Sequence, residues 1–481
     1  MVSYTPDPTP TTFRSFCQTF AQHPDLPWGS VLPEQVLTQA CRRHHAHFAD
    51  GPDDIWNAAL TLWTFLTQCL AQAKDCVTAV ARALVWRQQH GLPVPSANTG
   101  AYCKARAKLP LPLVQDLTRH SGRELERQAP DGWRWRGRRV LLLDGTTANL
   151  PDTPDNQQAY PQSRRQKPGL GFPMLRLVVL LTFATAALLD AAEGPCVGAG
   201  TSELALFRQL VDGLEPGDVV VADRHYCAYW LVAWLLQRRV DVAFRLHGQR
   251  HVPLAWSHRL GKDDWLIRWE RPRRHAWMDE ARWRQLPEFL LLRLVRVRVR
   301  RPGYRTRLIK VVTTLAGLEV SKDDVAELYH WRWHVELDIR AIKATLGMDE
   351  LRCTTAALAR KELWVHLLGY NLIRTLLAQA AGHAGLRPRQ LSFAAALHTW
   401  QEFRVLLQGG GSWYRACVEQ VWVALGAHRV GSRPGRVEPR RVKRCRQKYP
   451  RLMCPRAQAR ARLRGAAESQ PKPEGAARPG Q

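Results

Sequence analysis

Between Asp53 and Gln88 apolar residues recur at three- and four-residue steps, and Trp56, Leu60, Trp63 and Leu66 share one stripe, which predicts helix. The same texture extends from about Phe13 to Arg127, so a helical region over 1–130 is expected. From Val140 the pattern changes. Val140-Leu-Leu-Leu-Asp144 and Val219-Val-Val-Ala-Asp223 are short apolar runs that each end in an acid, as buried strands do. Leu175 to Leu181, Ala186 to Ala192 and Asp241 to Leu246 predict further strands; Thr201 to Leu214 and Tyr226 to Gln237 predict helices between them. Strands that give way to strand–helix alternation predict an α/β core over 131–246, a mixed sheet flanked by helices.

Residues 247–317 read differently. Val295, Val297 and Val299 alternate with Arg296, Arg298 and Arg300, which puts valines on one face of a strand and arginines on the other. Pro302-Gly303 then predicts a turn into a partner strand, Tyr304 to Thr314, so this stretch is expected to be an all-β insertion. Residues 318–427 return to helical spacing. The remainder, 428–481, reads as a basic flexible tail: Arg429 to Arg464 holds 14 Lys plus Arg and one acid, Glu438.

That tail changes the meaning of the composition. A chain of 481 residues, 45% hydrophobic and 23% charged, predicts two to four globular units and excludes a disordered chain, a collagen or a disulfide miniprotein. Its net charge of +28, concentrated at one end, points to a polyanionic partner, most simply a nucleic acid backbone. The Ser96–Pro110 stretch could add a short basic helix through Lys104, Arg106 and Lys108, either in a DNA groove or as a solvated face. Eleven scattered cysteines without a C-x-x-C pair read as reduced thiols of a cytoplasmic protein. Cys41, His44, His45 and His47 lack a second ligand pair and read as a solvated helix face. No apolar segment follows the Pro-rich start, and Leu177–Leu189 is too short to span a bilayer, so no membrane role is expected.

The chemistry is expected at the acids. On adjacent parallel strands, Asp144 and Asp223 would emerge about 5 Å apart. Two such carboxylates repel unless a cation lies between them, and hard oxygen donors suit Mg²⁺; Asp is also an ordinary turn former at strand ends. A helix at Tyr329–Lys343 supplies a third piece. At about 100° per residue, Arg332, Glu336 and Lys343 fall within roughly 60° of one another and of Tyr329. Leu328, Trp331, Val335, Ile339, Ile342 and Leu346 form a separate apolar stripe, and Asp338 is expected on an exposed part of the helix. Read functionally, Glu336 completes a metal site beside cations that grip phosphates; read otherwise, Arg332 and Glu336 are a surface i,i+4 pair.

Tyr329-x2-Arg332-x3-Glu336-x6-Lys343 resembles the signature of the IS-four family of bacterial insertion-sequence transposases, of the DDE class. Asp144-Gly-Thr146 resembles that family's first acidic motif and Ala222-Asp223-Arg-His-Tyr226 its second. Phe172-Pro-Met-Leu-Arg176 and the tail segment Arg433 to Arg440 are also similar. The resemblance covers about Val140 to Leu351 and implies a ribonuclease H-like core with a β-rich insertion before the glutamate. The 79 residues from Asp144 to Asp223 and the 113 from Asp223 to Glu336 allow that arrangement.

The resemblance further implies Asp144, Asp223 and Glu336 as catalytic metal ligands for two Mg²⁺ ions, with Mn²⁺ as a substitute. Tyr329, Arg332, Trp333 and Lys343 would contact DNA, with Trp333 near a base drawn from the stack during a hairpin step. The partners would be double-stranded DNA, as terminal inverted repeats and as target, bound by a dimer. Its insertion-domain counterpart stays open among Trp265, Trp269, Trp277 and Trp283. Two other functions compete: a DNA-binding regulator that keeps the fold without chemistry, and a nuclease of the same core that cannot join strands.

Overall fold

The computed structural model describes residues 28, 30–48, 55–89, 91–248, 257–299, 307–317, 319–408, 414–431 and 452–468. The Pro302-Gly303 turn, the stretch before residue 28 and the basic run 432–451 lie outside them. Five helices come first: α1 (Glu34–Arg43), α2 (Ala58–Leu70), α3 (Cys76–Gln89), α4 (Thr99–Lys108) and α5 (Leu111–Arg127). Asn57 and Asn98 cap α2 and α4 by accepting backbone N–H bonds from Leu60 and Gly100 at 2.8 Å. Of the three cations expected on a basic helix, Lys104 and Lys108 are exposed. Arg106 instead turns inward over the rings of Phe65 and Tyr102. The Cys41–His47 cluster is the end of α1, where His44 pairs with Asp116 at 3.0 Å.

The central part is one mixed sheet. Its strands are β1 (Val140–Asn149), β2 (Met174–Thr182), β3 (Leu188–Pro195), β4 (Val219–Ala222) and β5 (Asp241–Arg245), then β6 (His258–Gly261), β7 (Asp264–Glu270), β8 (Phe289–Val299) and β9 (Arg307–Thr313). They lie in the order β3-β2-β1-β4-β5-β9-β8-β7-β6. β1, β4 and β5 are parallel neighbours; β2 and β3 form an antiparallel hairpin beside β1. The chain between β1 and β2 carries α6 (Pro154–Ala159). The helices between strands are α7 (Glu203–Phe207) and α8 (Tyr229–Gln237). α7 stops well short of the expected Leu214: a tightened turn at Val211–Gly213 buries Leu210 and Val211 instead, so packing overrides the spacing.

The insertion strands extend this sheet, because β9 pairs antiparallel with β5. The segment is not all β. It carries the six-residue helix α9 (Glu280–Gln285), capped by Asp279. Val295 and Val297 are buried and Arg298 is exposed, as the alternation requires. Helices follow: α10 (Lys322–His330), α11 (Trp333–Arg340), α12 (Ala356–His383), α13 (Phe393–Gln408), α14 (Tyr414–Ala427) and α15 (Arg456–Glu468). The last lies in the stretch expected to be a flexible tail, so part of the described tail is helical.

α12 is apolar around most of its circumference because it is covered on several sides. The Asn371 amide donates to Thr118 O at 3.0 Å and Leu188 O at 2.9 Å, and its oxygen accepts from Leu188 N at 2.8 Å. α5, β3 and α12 are thereby latched together. Gly122 permits the contact: a Cβ there would lie 1.9 Å from Leu188 O. Residues of α2, α5, the sheet and α12 share one apolar core, and Leu328, Val335 and Ile342 of the site helices join it beside β1.

Candidate active site

The site begins where β4 ends and β1 does not. β1 pairs with β2 from Leu141 to Asn149, but with β4 only through Leu143, which lies opposite Ala222. Asp144 and Asp223 are the residues that directly follow this last pair, on strands whose ordinary spacing is about 4.8 Å. Asp223 is fixed by accepting the His225 N–H at 2.8 Å, and Asp144 by accepting that of Gly145 at 2.9 Å. Burial pushes the Asp144 carboxyl up to about 6; the Gly145 N–H and Arg332 oppose the rise, and the Asp223 and Glu203 charges reinforce it. Asp144 is thus a carboxylate short of positive charge.

Tyr329 to Lys343 approaches this notch. The segment is helical throughout but not one regular helix. The turn tightens at Trp331–Arg332, where Arg332 N bonds Tyr329 O at 3.2 Å, and widens into a π-turn at Ala341–Thr345. Leu328, Val335, Ile342 and Leu346 are buried and Trp331 and Ile339 partly so, as the stripe predicts. Arg332, 7% exposed, donates to Glu336 Oε1 at 2.8 Å and stands 3.9 Å from Asp144 Oδ2. Its guanidinium also lies 4.3 Å from the Trp333 ring centroid. One buried cation therefore joins the first strand acid to the helix acid.

The remaining candidates divide. Tyr329 is buried, not exposed; its phenol is pushed up to about 12 by burial, against Arg332 and Arg245 and with Asp223. Tyr329, Arg332, Trp333, Glu336, Asp144 and Asp223 are thus neighbours. Lys343 is half-buried in the π-turn, without an ion pair among the described residues. Among the insertion tryptophans Trp277 is exposed, with Arg208 above it; Trp265 and Trp283 lie under Arg296 and Arg271, and Trp269 packs on Tyr229.

Asp338 overturns one expectation. It is 1% exposed and ion-paired to Arg374 at 2.7 Å and Arg389 at 2.9 Å. Its side of the helix faces the core, and the two arginines make that burial affordable. One further site residue was not expected, and it meets Tyr226 of the second acidic motif. Glu203, the first residue of α7, lies across Gly145, and Tyr226 donates its hydroxyl to Glu203 Oε2 at 3.3 Å. The only sequence signal was the glycine directly after Asp144.

Among the described residues no three His, Cys, Asp or Glu side chains form a ready-made metal cage. The donor set nevertheless suits a hard divalent cation. It is all carboxylate oxygen, two of the acids are adjacent, and Asp144 is incompletely neutralised. No helix among the described residues is long and apolar enough to cross a membrane.

Residues 135–372 match the family model of the transposase DDE domain, whose members generally use divalent metal ions. The chain is also similar to the transposase InsG for insertion sequence element IS4 of Escherichia coli (strain K12). The two are 28% identical over 328 residues, covering 66% of this chain and 70% of that protein.

Proposed function

This chain belongs to the DDE transposases of the IS4 kind, enzymes that act on DNA, and from that premise we propose a specific course for its reaction. It cuts at the terminal inverted repeats of an insertion sequence and joins the freed 3′-hydroxyls to target DNA, by cut-and-paste through a hairpin intermediate. The observation that carries this reading is the Arg332 bridge: one buried guanidinium spans Asp144 and Glu336, beside the parallel Asp144–Asp223 pair.

Asp144, Asp223 and Glu336 are the residues that would hold two Mg²⁺ ions, with Mn²⁺ as a substitute. Bound there, divalent ions supply activation of water or a 3′-hydroxyl and stabilisation of the leaving oxygen. Everything else is the work of the chain. Arg332 orients Glu336 and presents positive charge to the scissile phosphate. Tyr329, behind Arg332, supports it, and Lys343 holds a phosphate further along the strand. The Trp333 ring offers a face on which an extruded base stacks, since every base has a π-face. The helical region 1–130 reads the element end, and the basic segment after 428 tracks the phosphate backbone. Two element ends must meet, which calls for a dimer on DNA.

Joining is what separates this reading from the other two. Purified protein, labelled element-end DNA, Mg²⁺ and a supercoiled plasmid should yield label covalently joined to plasmid. Cleavage without joining would assign a nuclease, and binding without cleavage a regulator.

A further inference from the structure

We propose that Glu203 is a fourth carboxylate of the active site and shares a divalent cation with Asp144 and Asp223. The inference rests on the metal-dependent reading of that pair. Glu203 opens α7, with Ser202 capping the turn by accepting the Ala205 N–H at 3.2 Å. An acid at that place commonly just favours a helix start, and needs no contact elsewhere. Here the side chain crosses the open end of β1. A Cβ on residue 145 would lie 2.3 Å from Glu203 Cδ and 2.5 Å from its Oε1, so any larger residue directly after Asp144 would push this carboxylate from its place.

The opposite side of the carboxylate is fixed as well. Tyr226, fully buried, donates its hydroxyl to Glu203 Oε2, and the same phenol is surrounded by the charges of Glu203, Asp144 and Asp223. No ion pair of Glu203 occurs among the described residues. Glu336, by contrast, is engaged by Arg332 at 2.8 Å and its side chain is 48% exposed. Three acids therefore surround the Tyr226 phenol beside the end of β1, and Arg332, the guanidinium that reaches Asp144, is shared with Glu336. A divalent cation drawn to Asp144 and Asp223 finds Glu203 as its next oxygen donor.

The test is Mn²⁺ binding to the full chain without DNA, read by electron paramagnetic resonance of free Mn²⁺. Loss of a carboxylate at or beside a metal weakens affinity roughly ten- to hundredfold. Glu203→Gln and Asp144→Asn should both show that loss, Glu203→Asp a smaller one, and the exposed Glu327→Gln none. Wild-type affinity in Glu203→Gln with weakened affinity in Asp144→Asn overturns the role of Glu203 and leaves the strand pair standing. Wild-type affinity in both overturns the metal reading and the inference with it. Circular dichroism checks each fold. Should Glu203→Gln fail to fold, Glu203→Asp decides: folded protein with wild-type affinity overturns the proposal.

Discussion

Arg332 donates to Glu336 at 2.8 Å while the same guanidinium stands 3.9 Å from Asp144. Removing it frees Glu336 and takes away the one cation that opposes the raised carboxyl of Asp144. Arg332→Ala should therefore lose strand cleavage by more than it loses binding to element-end DNA. One charge-assisted contact is worth roughly 1.5–3 kcal/mol, a factor of about ten to over a hundred. Single-turnover cleavage beside a binding titration checks this; equal, small losses would leave the contact a structural ion pair with no part in cleavage.

Asp338 lies two residues from Glu336 and should behave in the opposite way. Its carboxylate neutralises Arg374 and Arg389 in the core. Asp338→Ala strands two buried guanidinium groups and should cost about 3–5 kcal/mol of stability. Thermal melting should show a clear drop for Asp338→Ala and almost none for the exposed Glu327→Ala. Melting of Asp338→Ala like wild type would mean that the buried pair does not form.

The Asp144 carboxyl gives a pH signature. Its folded value, about 6, lies above its ordinary 3.8, so between those limits the folded protein holds more protons than the unfolded chain. Metal-free protein should lose stability from this group as pH rises from about 4 to 6 and regain none above. The rise is worth roughly 3 kcal/mol at most. Asp144→Asn should then melt higher than wild type at pH 7.5 without metal, and the difference should vanish near pH 4. A less stable Asp144→Asn at pH 7.5 would contradict this.

Truncation after Gly431 removes the basic segment together with α15 and keeps the bond of Val430 N to Gln390 O at 2.7 Å. Each phosphate contact contributes a log–log salt slope of about −0.9. The truncated chain should bind all duplexes more weakly and with a flatter slope. An unchanged slope would mean that this segment does not meet DNA.

What the sequence reveals depends on how local the determinants are. The parallel Asp144–Asp223 pair and the apolar stripe from Leu328 to Leu346 were legible, because strand runs ending in acids and helical spacing are local patterns. Asp338 was misread, because its neutralising partners lie 36 and 51 residues away and no wheel shows them. Glu203 was invisible for a related reason: its partner is a missing side chain, the Cβ that Gly145 lacks. That the insertion strands extend the core sheet follows from the pairing of β5 with β9, which nothing in either strand announces. The π-turn that carries Lys343 likewise has no sign in the helical spacing.

The most direct measurement is Mg²⁺-dependent nicking of labelled element-end DNA by Asp144→Asn, Asp223→Asn and Glu336→Gln, with end binding followed in parallel. Each change removes a carboxylate charge and almost no bulk. All three should bind the end nearly as wild type does and leave the strand uncut. Substantial Mg²⁺-dependent nicking by any one of them would remove that residue from the catalytic set and contradict the three-acid site.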